Sequence, residues 1–257
     1  MVRKILLLFI VVSILSSCSS REKIVYFQNI SEMNNENIVK YEPKLKPDDL
    51  LMIIVSAPDS EAAAPFNLPA VGVSGTNGGV DMVNPQLRYQ TYLINNDGDI
   101  QFPVIGNLKL GGLTRSEALT KLNAELKKYI NNPVVNMRIL NYKVSVFGEV
   151  ARPGTFEIAT ERITLPEALS RAGDMSIYGN RHNILVIREI DGKKTHNFVD
   201  ITKADFINSP FYYLSQNDLV YVEPNKTKIN SSVVGPNTSV IISSVSLLIT
   251  LIALLAR

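Results

Sequence analysis

Residues 92–119 read YLINNDGDIQFPVIGNLKLGGLTRSEAL, and the signals inside that stretch set the fold class. Tyr92-Leu93-Ile94 and Ile100-Gln101-Phe102 are short apolar runs separated by Asn95-Asn96-Asp97-Gly98. Asp and Gly both tolerate the positive φ of a tight turn, so the pair predicts a β-hairpin turning at Asp97-Gly98. Thr114-Arg115-Ser116-Glu117 is a capping box: hydroxyl and carboxylate satisfy exposed donors at a helix start. Leu119, Leu122, Leu126 and Ile130 then supply an apolar stripe. Short strands feeding a capped helix predict an α+β chain.

Two chemistries suggested by the same letters fail on spacing. A calcium loop wants alternating acids before its glycine and a glutamate about six positions after it, and Asp97-Gly98-Asp99 has neither. Gly106 to Gly112 is no phosphate loop, because Gly112 stands where a lysine is needed.

Outward from this stretch, Asn131-Asn132-Pro133 ends the helix, and Val135, Met137 and Ile139 alternate with polar residues as a half-buried strand. Upstream, Pro47-Asp48-Asp49 leads into the apolar run Leu50 to Val55, which suits a buried strand. Between them, 60–90 is rich in Ala, Gly, Pro and Asn and reads as an insertion loop. A second unit starts at Tyr142, Val144 and Val146 and turns at Pro153-Gly154. It enters another capped helix at Thr164-Leu165-Pro166-Glu167 and leaves it at Ala172-Gly173. Strands over 184–190 and 196–200 flank Asp191-Gly192, and 218–222 forms a last strand. Thr-x-x-Glu-Ala-Leu thus occurs at 114–119 and at 164–169, as the echo of a duplicated unit or by chance.

Both ends of the chain are apolar, in different ways. MVRKILLLFIVVSILSSC, 1–18, has a basic start, an apolar run too short to span a bilayer, and small residues before Cys18, the one cysteine. That layout resembles a lipoprotein leader whose cysteine becomes the acylated first residue, with Ser19 after it favouring the outer membrane. SVIISSVSLLITLIALLAR, 239–257, keeps its hydroxyls in register. At 100° per residue Ser239, Ser243, Ser246 and Thr250, continued by Ala253 and Arg257, fall within about 80° of a helix surface. Three readings fit the stripe: a wetted pore lining, a small-residue packing seam, or part of a plain anchor.

Composition excludes more than it assigns. Removing Arg3 and Lys4 with the leader leaves 24 basic and 24 acidic residues, without the basic excess of a nucleic-acid partner. The single cysteine precludes an internal disulfide, and neither His182 nor His196 sits at metal-ligand spacing from other donors. No GxSxG occurs, and Asp97, Asp99, Glu117 and Glu167 occupy turns and caps rather than the two sides of a cleft. No catalytic residue, metal site or cofactor is expected.

Taken in order, residues 41–224 resemble the polysaccharide biosynthesis/export family, the Wza-like outer-membrane lipoproteins. The resemblance is carried by Asp97 to Gly106, Gly112 to Ala118, and Asn132-Pro133-Val134-Val135. Val146 to Val150, Arg152 to Phe156 and Thr164 to Ala168 with Ala172-Gly173 are similar to a β-grasp module of SLBB type. Asp48 and Asp174 stand where the family's turns usually carry glycine.

The resulting organisation is a leader at 1–17, a polar tether at 18–40, and a polysaccharide-export domain at 41–140 with the insertion 60–90. A single SLBB-like β-grasp domain at 141–224, a linker at 225–238 and a transmembrane helix at 239–257 complete it. The resemblance implies a homo-oligomeric ring in the outer membrane, lipid-anchored at Cys18, with most of the chain in the periplasm. Capsular or exopolysaccharide would pass through it, with Ser239, Ser243, Ser246 and Thr250 lining the pore and an inner-membrane co-polymerase of tyrosine-kinase type as partner. The alternative is a lipid-anchored module that binds glycan or peptidoglycan and forms no pore.

Overall fold

The computed structural model describes residues 21–32, 41–69, 89–190, 192–233 and 238–255. The leader, Cys18, most of the expected insertion and Arg257 lie outside the described residues. Two hydrophobic cores organise the rest.

The first core is built by β1 (Leu50–Ser56), α1 (Ser60–Ala63), β2 (Thr91–Leu93), β3 (Asp99–Phe102), β4 (Gly106–Lys109), α2 (Arg115–Leu126) and β5 (Val134–Ile139). β1 is central in an antiparallel sheet of order β2-β1-β5. Its alternation sends Leu51, Ile53 and Val55 into the core and Leu50, Met52 and Ile54 to the opposite face. Thr114 and Glu117 cap α2 reciprocally. The inner row of that helix is Ala118, Leu122 and Leu126, with Ile130 beyond its end; Leu119 lies at the margin of the core.

The expected hairpin between the Tyr92 and Ile100 runs does not form. β2 pairs with β1, and β3 pairs instead with β4, Asp99 opposite Lys109 and Phe102 opposite Gly106. The Asp97-Gly98 turn itself is present: Asn95 Oδ1 accepts from the amides of Asp97 and Asp99, at 3.0 and 2.8 Å. What redirects the ladder is the Gly98 carbonyl, which accepts from the amides of Leu110 and Gly111 at 2.9 and 2.8 Å. A Cβ on Gly111 would stand 2.6 Å from the Gly98 Cα, so this crossing needs glycine.

The second core is built by β6 (Lys143–Gly148), β7 (Gly154–Glu157), β8 (Ile163–Thr164), α3 (Leu165–Arg171), β9 (Gly179–Ile190), β10 (Lys193–Val199), β11 (Tyr213–Leu214) and β12 (Leu219–Pro224). Five strands form a mixed sheet of order β10-β9-β12-β6-β7, parallel only between β12 and β6. Val144, Val146, Ile184, Val186, Val220 and Val222 face inward, where Leu165, Ala168 and Leu169 of α3 join the same core. The strands and helices together bear out the α+β class.

Both aspartates that replace family glycines are left-handed, Asp48 at φ 67° and Asp174 at φ 68°. Asp48 belongs to a turn that the chain uses twice. Leu45-Lys46-Pro47-Asp48-Asp49-Leu50 precedes β1, and Leu214-Ser215-Gln216-Asn217-Asp218-Leu219 precedes β12. In each, the fourth residue has positive φ, 67° at Asp48 and 63° at Asn217. The fifth is an aspartate accepting from the amide three residues back, Lys46 at 2.8 Å and Ser215 at 2.7 Å. Each turn also abuts a capping threonine, Lys44 bridging to Thr114 and Tyr213 pairing with Thr164. The repeated Thr-x-x-Glu-Ala-Leu therefore marks a repeated piece of structure.

After β12 come α4 (Lys226–Val233) and α5 (Thr238–Leu255). The helix expected over 239–257 is thus present as α5, 18 residues without a charge and about 27 Å long. Among the described residues no helix is by itself long and apolar enough to cross a membrane, and α5 comes nearest to the roughly 20 residues an average bilayer takes.

Candidate functional site

The site that the sequence singles out is the outer surface of α5. Ser243, Ser246 and Thr250 lie along one groove together with Ile242, Leu247 and Leu254, so hydroxyls and large apolar side chains share that side. The side chain of Ser239, like Cys18, is outside the described residues. Thr250 donates its hydroxyl to the Ser246 carbonyl at 2.8 Å, and Ser244 to that of Val240 at 2.7 Å. A hydroxyl bonded to its own helix can face hydrocarbon at little cost, so Thr250 does not by itself require water. Val240, Ile242, Leu247 and Leu254 are each more than 60% exposed, an apolar surface far too large for a lone protomer in water.

Sequence reading missed the junction between the two domains, which Asn141 holds. Its amide oxygen accepts from the Leu50 amide at 2.9 Å, its amide nitrogen donates to the Asp48 carbonyl at 2.8 Å, and its own carbonyl accepts from Gln216 at 2.7 Å. Tyr41 stacks on Tyr213 with centroids 4.7 Å apart, and Lys46 reaches the Glu189 carbonyl at 3.2 Å. Burial pushes the Lys46 ammonium below its ordinary value.

The twin aspartates differ in their partners. Asp218 is fully buried and takes Nε and Nη2 of Arg188 at 2.6–3.0 Å, while Arg188 also donates to the carbonyls of Pro210 and Tyr213. Burial pushes the Asp218 carboxyl upward against the pull of that guanidinium. Asp49 is 1% exposed, and its Oδ1 has no hydrogen-bond partner. Burial lifts it to about 6, opposed by the Lys46 amide. The shared Leu-x-x-x-Asp-Leu phrase was the signal available for both.

Residues 21–32, inside the expected tether, are partly docked on the second domain. The Phe27 and Gln28 amides donate to the carbonyls of Ile201 and Thr202, and Ala204 returns a bond to Gln28. Tyr26 places its ring under Arg181 and donates to Asp174 at 2.8 Å. Burial and that hydrogen bond push its phenol up to about 12.

Among the described residues one constellation looks catalytic, and it does not work as such. His182 Nδ1 lies 3.2 Å from Asp200 and 3.1 Å from Thr202, so both contacts use the same ring nitrogen. Thr202 spends its proton on Asp200 at 2.6 Å, leaving no hydroxyl aimed at a base. Among the described residues no group of three or more acidic, His or Cys side chains is placed to hold a metal.

Residues 38–140 match the family model of the polysaccharide biosynthesis/export protein, and 142–222 match that of the SLBB domain, the two meeting around Asn141. Over these residues the chain is similar to the polysaccharide biosynthesis/export family, with an SLBB domain following. Two curated relatives, from Ralstonia solanacearum and Ralstonia nicotianae, are each described as an EPS I polysaccharide export outer membrane protein, EpsA. Each is 32% identical over 154 residues, 57% of this chain and 40% of the relative. The chain therefore spans well under half the length of the relatives it matches. In family terms, the Asn141 junction couples an export domain to an SLBB domain, and α4 and α5 follow the latter.

Proposed function

We propose that this protein is a non-enzymatic component of polysaccharide export at the outer membrane, anchored at Cys18 and contributing α5 to a helical conduit in a homo-oligomeric ring. The observation that carries the reading is α5 itself: a charge-free, exposed apolar helix following two domains of export-family type. Its 27 Å or so suits a thin bilayer, and the bacterial outer membrane is thinner than average. Self-association is supported by the outer face of the second sheet. There Phe147, Tyr221, Leu185 and Phe198 stand in one cross-strand row, with Phe147 39% and Phe198 55% exposed. The first domain meets the second around Asn141 and Lys46, at the end of β12 opposite the one that leads into α4, a position that suits contact with an inner-membrane co-polymerase.

A second reading has its own support. The hydroxyl of Thr250 in the stripe is satisfied within the helix, which fits a packing seam or a plain anchor as well as a lumen. The two are separated by export of surface polysaccharide from cells carrying variants. Ser243→Leu with Ser246→Leu is expected to stop export, whereas Val245→Ala with Leu248→Ala leaves most of it. Equal effects of the two pairs would reject the lumen in favour of packing.

A further inference from the structure

Both ends of the folded chain leave from one end of the second domain. β9 begins there at Gly179 and runs 12 residues, about 40 Å, to Ile190 near the first domain. At its start Arg181 covers Tyr26 of the docked N-terminal segment, and Tyr26 holds Asp174. Pro224 of β12 pairs with Gly179, and the next residue, Asn225, bonds the loop between: its amide donates to the Tyr178 carbonyl at 2.7 Å. Asn225 Oδ1 also accepts from the Lys228 amide at 3.0 Å, fixing the start of α4 against that loop. Cys18 is three residues before Arg21, a reach of about 10 Å.

The surface between these exits has the composition of a membrane boundary. Ile177, Tyr178 and Ile229 are 57%, 42% and 49% exposed although each is large and apolar. Lys228 lies over the Tyr178 ring at 5.3 Å, and Lys226 is exposed beside it. Arg21 and Lys23 add basic charge on the N-terminal segment. Of the acids nearby, Asp174, itself exposed, accepts from Tyr26 and Glu149 from Ser176, and Glu22 stands between Arg21 and Lys23. Aromatic rings at the headgroup level, apolar side chains just below and lysines toward phosphate make the pattern of a protein seated on an anionic bilayer.

We propose that this end of the second domain is a membrane-contact surface, with Ile177, Tyr178 and Ile229 entering the headgroup boundary and Lys226 and Lys228 meeting lipid phosphate. The inference rests on the anchored reading above and adds to it the side chains that would meet the bilayer. The occupant is lipid, because Arg21, three residues after Cys18, and α4, which precedes α5, border the surface, so the two proposed anchors would deliver it to the bilayer at very high local concentration.

The test uses the full-length lipidated chain in vesicles of phosphatidylethanolamine with phosphatidylglycerol. An environment-sensitive fluorophore is placed at Ile177→Cys, at Val104→Cys on the exposed turn of the first domain, or at Leu248→Cys in α5, with the unsubstituted chain as background. Lipid carrying a headgroup-level quencher is expected to quench the label at 177 severalfold more than that at 104. Lys226→Gln with Lys228→Gln should reduce the effect at 177, and only when phosphatidylglycerol is present. A label at 177 no more quenched than at 104, while 248 is quenched by acyl-chain probes, overturns the contact surface and leaves the anchor. That result would assign the patch to another protein or a second copy. Absence of quenching at both 177 and 248 overturns the anchored reading with it.

Discussion

The twin turns allow one substitution to be made twice with opposite expected signs. Asp49→Asn and Asp218→Asn each remove a carboxylate from the same left-handed turn ahead of a central strand. Burial raises Asp49 from an ordinary value near 3.8 to about 6. The folded state therefore holds that proton more tightly than the unfolded chain does. Stability from this group is greatest below about pH 4 and declines as pH rises through 6. Two pKa units correspond to about 3 kcal/mol; an asparagine N–H left without an acceptor gives back about 1. Asp49→Asn should thus stabilise the protein by about 1–2 kcal/mol at pH 8 and by only about 0.5 kcal/mol at pH 5. At Asp218 the same change leaves Arg188 buried without its counter-ion, which costs about 3–5 kcal/mol. For a chain of this size 1 kcal/mol moves the melting temperature by roughly 2–4 °C. Thermal unfolding of the detergent-solubilised variants, followed by circular dichroism at pH 5 and pH 8, reads both signs. An Asp49→Asn protein that melts below wild type at pH 8, by as much as Asp218→Asn, would refute the claim that Asp49 is an unrepaid buried charge.

Gly148, at φ +96°, would place a Cβ 2.1 Å from the Val222 carbonyl oxygen, so Gly148→Ala should cost about 2–4 kcal/mol by denaturant titration. Thr114→Ala and Thr164→Ala each remove a reciprocal cap and should cost about 1 kcal/mol, with Thr→Ser recovering most of it in the same titration.

The local signals legible in the sequence were those satisfied by neighbours along the chain. Both capping boxes, the Asp97-Gly98 turn and the strand at Leu50 to Val55 depend on a few consecutive residues, and each is in place. Strand pairing was not legible, because the carbonyl of Gly98 is claimed by Leu110 and Gly111 across a contact that no local pattern encodes. Ala118 displaced Leu119 from the inner row of α2 because a helix face is chosen by the sheet it meets, and a small side chain lets the two approach. The Arg188–Asp218 pair joins residues thirty apart, and only the recurrence of Leu-x-x-x-Asp-Leu hinted at it. At the candidate site, sequence periodicity located the hydroxyl stripe but could not reveal that Thr250 bonds its own helix. The docking of Tyr26 and Phe27 was masked by the polar composition around them, since two aromatic residues suffice to hold the segment.

The central claim is that copies of this chain close into a ring whose α5 helices cross the outer membrane. Electron microscopy of the full-length, lipidated protein extracted from outer membranes in mild detergent tests it most directly. The account predicts closed rings with a detergent-covered helical end next to the second domain and the first domain farthest from it. Particles that remain monomeric across detergents, or rings with α5 folded outside the detergent belt, would contradict it.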